Sequence, residues 1–182
     1  MTLDDLQLNG TKKIHSTMAA SIGSKLIGLR KESIRECLSD FQNIEHKLEF
    51  VANIHGIEFI NDSKATNINS VWYALESAEK PVIWIAGGID KGNDYSKLRD
   101  LVMAKVKAIV CLGLDNSKLM DAFEDIVPVI CECYSAEDAV QRAYELAVKG
   151  EQVLLSPGCA SFDLFENYEE RGNKFKQAVL EL

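Results

Sequence analysis

The chain has 182 residues, 47% apolar and 26% charged, with 20 Lys and Arg against 28 Asp and Glu for a net charge of −8. That balance fits one soluble globular domain, or a domain with a helical appendage, and leaves no basic face of the kind nucleic-acid binding needs. No apolar run approaches the roughly 18 residues of a membrane span, and residues 1–10, with Asp4, Asp5 and Asn9, lack the apolar centre of a signal peptide. A cytoplasmic protein without nucleic-acid or membrane partners is therefore expected. The five cysteines, Cys37, Cys111, Cys131, Cys133 and Cys159, fit reduced thiols serving as small buried hydrophobes rather than metal ligands.

In chain order, residues 16–29 place Met18, Ile22, Leu26 and Leu29 on a helical stripe, and residues 31–41 repeat it with Ile34, Cys37, Leu38 and Phe41. Residues 1–40 read as a helical tail of something upstream or a small cap, with a boundary near 40–46. Residues 48–54 and 57–61 are candidate strands joined by the turn signal His55-Gly56, as in a hairpin. A helix over 68–78 carries Ile68, Val71, Trp72 and Leu75 on one face. Residues 82–86 are a continuous apolar strand of the buried parallel type. Further strands are expected at 108–112, 129–133 and 153–155, with helices marked by Leu98, Leu101 and Val102, by Leu119, Met120 and Phe123, and by Ala139, Val140 and Ala143. Ser135 with Asp138 resembles a capping box for the last of these. A final helix is expected to carry Phe165, Tyr168, Gly172, Phe175 and Val179. The alternation implies an α/β fold, a mostly parallel Rossmann-like sheet of about five parallel strands plus an antiparallel edge strand, with helices on both faces.

In such a sheet the carboxyl ends of the strands share one edge, where ligands bind. Three of those ends are rich in polar or glycine residues: Asn61-Asp62-Ser63-Lys64-Ala65-Thr66-Asn67, Gly87-Gly88-Ile89-Asp90-Lys91-Gly92, and Ser156-Pro157-Gly158-Cys159-Ala160-Ser161-Phe162-Asp163. The ends after Leu112 and Cys133 look ordinary. Lys64 beside a helix start suits phosphate, and Asp62 suits a ribose hydroxyl, a metal-bound water or an attacking amine. Lys91 suits a small carboxylate. Ser161 reads either as the cap of the final helix or as a carboxylate ligand. Tyr168 would lie about two turns into that helix, where core packing competes with lining the pocket. His46 stands before the edge strand. Neither a G-x-G-x-x-G fingerprint nor a G-x-x-x-x-G-K-[ST] loop is present, which disfavours a nicotinamide dehydrogenase.

Together with His46-Lys47-Leu48-Glu49 and Arg171-Gly172, these motifs resemble the C-terminal domain of the Mur ligases over residues 41–182, in the branch that adds D-glutamate to UDP-N-acetylmuramoyl-L-alanine in peptidoglycan synthesis. More weakly, Met18-Ala19-Ala20 is similar to the last helices of the family's central ATPase domain. The resemblance implies ATP-dependent activation of a carboxylate as an acyl phosphate and attack by the amine of D-glutamate. It further implies that His46 and Lys47 flank the nucleotide and that Asp62 and Lys64 meet the nucleotide and the reaction centre. Thr66, Lys91, Ser161, Phe162 and Tyr168 would hold D-glutamate. Mg2+, a phosphate-binding loop and the UDP-binding part would belong to N-terminal and central domains outside this sequence, so the chain alone is expected to be inactive. The family often has Arg where Lys47 stands; Lys keeps the charge without the bidentate fork. Another amino-acid ligase of the same superfamily, or a non-enzymatic module binding a small anion, are the competing readings.

Overall fold

A computed structural model describes residues 44–182. The helices expected over 16–29 and 31–41 lie outside those residues. Six strands form one sheet: β1 (Glu49–Ile54), β2 (Ile57–Asn61), β3 (Val82–Gly87), β4 (Val106–Leu112), β5 (Val129–Cys133) and β6 (Gln152–Gly158). Their spatial order is β1-β2-β6-β3-β4-β5. β1 pairs antiparallel with β2, and every other neighbouring pair is parallel. The expected five parallel strands and antiparallel edge are thus present.

The helices are α1 (Ile68–Ser77), α2 (Arg99–Lys105) behind a 3-10 turn at Tyr95–Leu98, α3 (Ser117–Phe123), α4 (Ala136–Leu146) and α5 (Tyr168–Leu180). The central strands are apolar throughout because both their faces are covered. Ile83, Ile85, Val153 and Leu155 pack with α4 and α5. Val82, Trp84, Ala86 and Leu154 pack on the other face with α1, α2 and α3. The chain steps outward from β2 through β3 and β4 to β5 with its helices on one face. It then returns to insert β6 between β2 and β3, with its helices on the opposite face. Right-handed crossovers require that reversal of direction and face to go together.

This topology positions the site. β2, β6 and β3 are neighbours, so the three polar loops leave from adjacent strand ends. The loop after β6 turns toward α5 on one face, while those after β2 and β3 turn toward helices on the other. Loops diverging to opposite faces open crevices at the carboxyl edge of such a sheet.

Two local expectations are corrected. Helix α5 begins at Tyr168, not ahead of Phe165: the Asn167 side chain caps it by accepting the Glu170 N–H. The apolar periodicity runs on through Phe165, which joins the core from a turn in which its N–H donates to the Ser161 carbonyl. Ser161 therefore does not cap α5, and Tyr168 stands at the helix start. Ser135 does cap α4, accepting the Asp138 N–H at 3.1 Å.

Candidate functional site

The polar loops after β2 and β6 are locked together from behind by buried polar side chains. Arg171, 1% exposed, reaches out of α5 between two of them. Its Nε and Nη2 donate to Ser63 Oγ and the Ser63 carbonyl at 3.0 and 2.9 Å, and its Nη1 donates to the Cys159 carbonyl at 3.2 Å. Burial lowers the guanidinium pKa to about 10, so the cation remains charged at neutral pH and is satisfied by hydrogen bonds rather than by a carboxylate. Asp62, 4% exposed, makes the second link. Its carboxylate accepts the Leu48 N–H at 3.1 Å and the Ser156 hydroxyl at 2.9 Å. Burial raises its pKa to about 6, against the lowering effect of those two donors and of Lys47. The Gly158 N–H donates to the Ala65 carbonyl, joining the loops after β2 and β6 directly.

His46 completes this inner set. It is 3% exposed, with Nδ1 2.9 Å from Asn61 Nδ2, and its backbone N–H donates to Glu49. The ring lies so close over Gly172 that a Cβ there would collide with it. His46 and Leu48 both have left-handed φ values, 63° and 47°, a conformation that costs non-glycine residues free energy and persists only where surroundings over-determine it.

The loops after β3 and β6 meet through a bridge in which the Ile89 N–H donates to the Ala160 carbonyl at 2.8 Å. Gly88 has φ 115°, and a Cβ on it would strike that same carbonyl, so the close approach requires glycine. Asn93 Nδ2 donates to the Gly158 carbonyl at 3.1 Å. The loop after Leu112, ordinary by sequence, takes part too. The Leu114 N–H donates to Asp163, and buried Asn116 donates to the Gly113 carbonyl and to Glu132. A side chain at Gly113 would meet Gly88 N, Asn116 Oδ1 and Asp163 Oδ2. Arg171 and Asn116 escape sequence reasoning as site builders. The only signals are the Arg171-Gly172 motif match and a glycine closing a parallel strand.

The expected site residues differ in burial. His46, Asp62 and Ser161 are buried. Lys47, Lys64, Thr66 and Lys91 are exposed, and Phe162 is 63% exposed. Tyr168 is intermediate. Its ring meets His46 edge-on at 6.2 Å, and Lys64 Nζ lies 5.7 Å from its centre, so it faces the site and not the core. Its hydroxyl, hydrogen-bonded to Glu169, has a raised pKa. Three cations and an aromatic ring thus stand outward around a rigid polar base, a set suited to an anion with some hydrocarbon. Among the described residues no group of three His, Cys, Asp or Glu could hold a metal ion, and no helix is long and apolar enough to cross a membrane.

The family model described as Mur ligase, glutamate ligase domain, matches residues 46–159. The chain belongs to the Mur ligase family. A UDP-N-acetylmuramoylalanine–D-glutamate ligase from Christiangramia forsetii is 54% identical over all 182 residues, which cover 41% of that relative. The Mur ligase chain therefore spans about two fifths of that curated relative. Its fold is shared with a UDP-N-acetylmuramate–alanine ligase from Thermotoga maritima (TM-score 0.62, 15% identity, 96% of this chain and 39% of that one). A second ligase from that organism, solved with ADP, superposes with a TM-score of 0.60 at 12% identity, over 94% of this chain and 39% of that one. In this Mur ligase chain the matched segment holds β1 to β6 and all three polar loops up to Cys159, while Ser161, Tyr168 and Arg171 lie beyond it.

Proposed function

We propose that the chain is the amino-acid- and nucleotide-binding C-terminal part of an ATP-dependent ligase that joins D-glutamate to UDP-N-acetylmuramoyl-L-alanine through an acyl phosphate. The observation that carries this reading is the set of outward Lys64, Thr66, Lys91 and Phe162 on three adjacent loops, those after β2 and β6 braced from behind by Asp62 and Arg171 and that after β3 tied to them by the Ile89–Ala160 bridge. The 54% identical relative of that name supports the choice of substrates. Residues 41–182 form the binding domain in this reading, and residues 1–40 belong to the end of a central ATPase domain.

Lys91 pairs with a carboxylate of D-glutamate, and Phe162 and Tyr168 flank its methylenes, with Thr66 and Ser161 completing the hydrogen bonds. Lys47 and Lys64 face the nucleotide phosphates. Asp62 and His46, being buried, act through the loops they hold: Asp62 fixes the turn presenting Lys64, and the His46 ring backs Tyr168. Positioning an amine against an activated carbonyl and stabilising the charge that develops supply most of the rate effect in such transfers. In this reading Mg2+ is held mostly by the rest of the polypeptide, and no step here runs through it. The use of ATP and a UDP-linked precursor supports a cytoplasmic reaction. Phosphate release by the full-length polypeptide, requiring ATP, UDP-N-acetylmuramoyl-L-alanine and D-glutamate together, is the test. Release with a different amino acid would move the substrate within the family, and no release with any amino acid, from a folded protein, would refute the ligase reading.

A further inference from the structure

Asp90 stands between Ile89, which bridges to Ala160, and Lys91. Its Oδ1 accepts the N–H groups of Gly92 and Asn93 at 2.6 and 2.9 Å, so this carboxylate closes the turn that carries Lys91. Lys118, on α3, donates to the same oxygen at 3.1 Å and lies 5.7 Å from the centre of the Tyr95 ring. The other oxygen, Oδ2, is buried without a hydrogen-bond partner. Burial acts to raise the Asp90 pKa, but the Asn93 N–H, Lys118, the Gly92 N–H and the Tyr95 hydroxyl outweigh it and hold the carboxyl below the usual range. An ionised carboxylate is therefore fixed one residue away from the cation assigned to the ligand. Left unneutralised, it would compete for Lys91 and repel an incoming carboxylate. Lys91 itself is exposed and has no ion-pair partner among the described residues.

We infer that Lys118 is a positioning and charge-balancing residue for amino-acid binding: by pairing with Asp90 it holds the turn under Lys91 and leaves the Lys91 charge available to the ligand carboxylate. The inference rests on the reading of Lys91 as carboxylate anchor. It assigns a role to α3 and to the strand end after Leu112, which the anchor reading alone does not involve. The pair is partly exposed, with side chains 51% and 21% accessible, so its contribution to stability is small and its effect falls on the ligand.

The experiment is steady-state phosphate release by the full-length polypeptide with ATP, UDP-N-acetylmuramoyl-L-alanine and varied D-glutamate. It compares Lys118→Met, Lys118→Arg, Asp90→Asn, the Lys118→Met/Asp90→Asn double variant and Lys91→Ala. Lys118→Met should raise the KM for D-glutamate about three- to tenfold, with the KM for ATP and the melting temperature unchanged. Lys118→Arg should behave like the parent. The amide introduced by Asp90→Asn can still accept the two N–H groups without a charge, so the double variant should return to within about twofold of the parent. An unchanged D-glutamate KM in Lys118→Met would overturn the inference, as would an equal rise in the single and double variants or a parallel rise in the KM for ATP. If Lys91→Ala also leaves the D-glutamate KM untouched, the anchor reading falls with it. If Lys91→Ala raises that KM and Lys118→Met does not, only the Lys118 inference falls.

Discussion

Arg171 and Lys91 carry the same charge at the same edge of the sheet, and the fold uses them in opposite ways. Arg171 is 1% exposed and spends its donors on Ser63 and Cys159. Lys91 is exposed, on a turn closed by Asp90. The same division separates Asp62 from Lys64, two residues apart, one clamping Leu48 to Ser156 and the other lying over Tyr168. A binding edge built from irregular loops needs both parts. The inner groups over-determine the backbone, so in the proposed reading a ligand meets outer side chains whose backbone is already ordered, which lowers the entropic cost of binding.

Substitutions at the two layers should consequently separate stability from binding. The largest effect is expected at Arg171. Arg171→Met leaves the Ser63 and Cys159 carbonyls without these donors and should cost about 3–5 kcal/mol in urea unfolding. A cost below about 1 kcal/mol would mean that the loops hold together without it.

Asp62 gives a pH signature. Its folded-state pKa of about 6 lies above the ordinary 3.8, so the folded chain holds this proton more tightly than the unfolded one. The resulting stabilisation is complete below about pH 4 and is lost as pH rises through 6, a difference of roughly 3 kcal/mol. Asp62→Asn should remove that slope between pH 4 and 6 when unfolding midpoints of parent and variant are subtracted. It should leave the variant at least as stable at pH 7 while lowering ligase turnover. A parallel pair of pH profiles would contradict this.

At the outer layer, Lys91→Ala should change stability by less than about 0.5 kcal/mol while raising the D-glutamate KM about ten- to a hundredfold. Tyr168→Phe should do least. It keeps the ring that meets His46 and Lys64 and loses only the hydroxyl contact with Glu169, an exposed interaction worth a few tenths of a kcal/mol. Tyr168→Ala, which removes the ring, should raise the D-glutamate KM where Tyr168→Phe does not.

Much of this architecture is legible in the sequence because period and punctuation agree. Val82 to Ala86 is apolar at every position because both faces of β3 are buried, and His55-Gly56 marks the hairpin where both residues adopt positive φ. The three polar loops stand out by composition, but their adjacency depends on β6 inserting between β2 and β3, a long-range pairing that no local pattern encodes. Ser161 resembles a helix cap because Phe165 continues the apolar stripe of α5 across a turn. Arg171 shows in the sequence only as a motif match, since its donors reach Ser63, distant in sequence, and that contact exists only once the sheet has formed. Asn116 leaves no signal beyond lying three residues after a glycine, because its partners are the Gly113 carbonyl and Glu132 on the neighbouring strand.

The most direct test of the division between a holding layer and a binding layer is D-glutamate-dependent phosphate release by the full-length polypeptide and its Lys91→Ala variant, with the melting temperature of each preparation recorded alongside. The expected result is a D-glutamate KM raised at least about tenfold at an unchanged melting temperature. An unchanged KM, or a loss of activity that tracks a lower melting temperature, would contradict it.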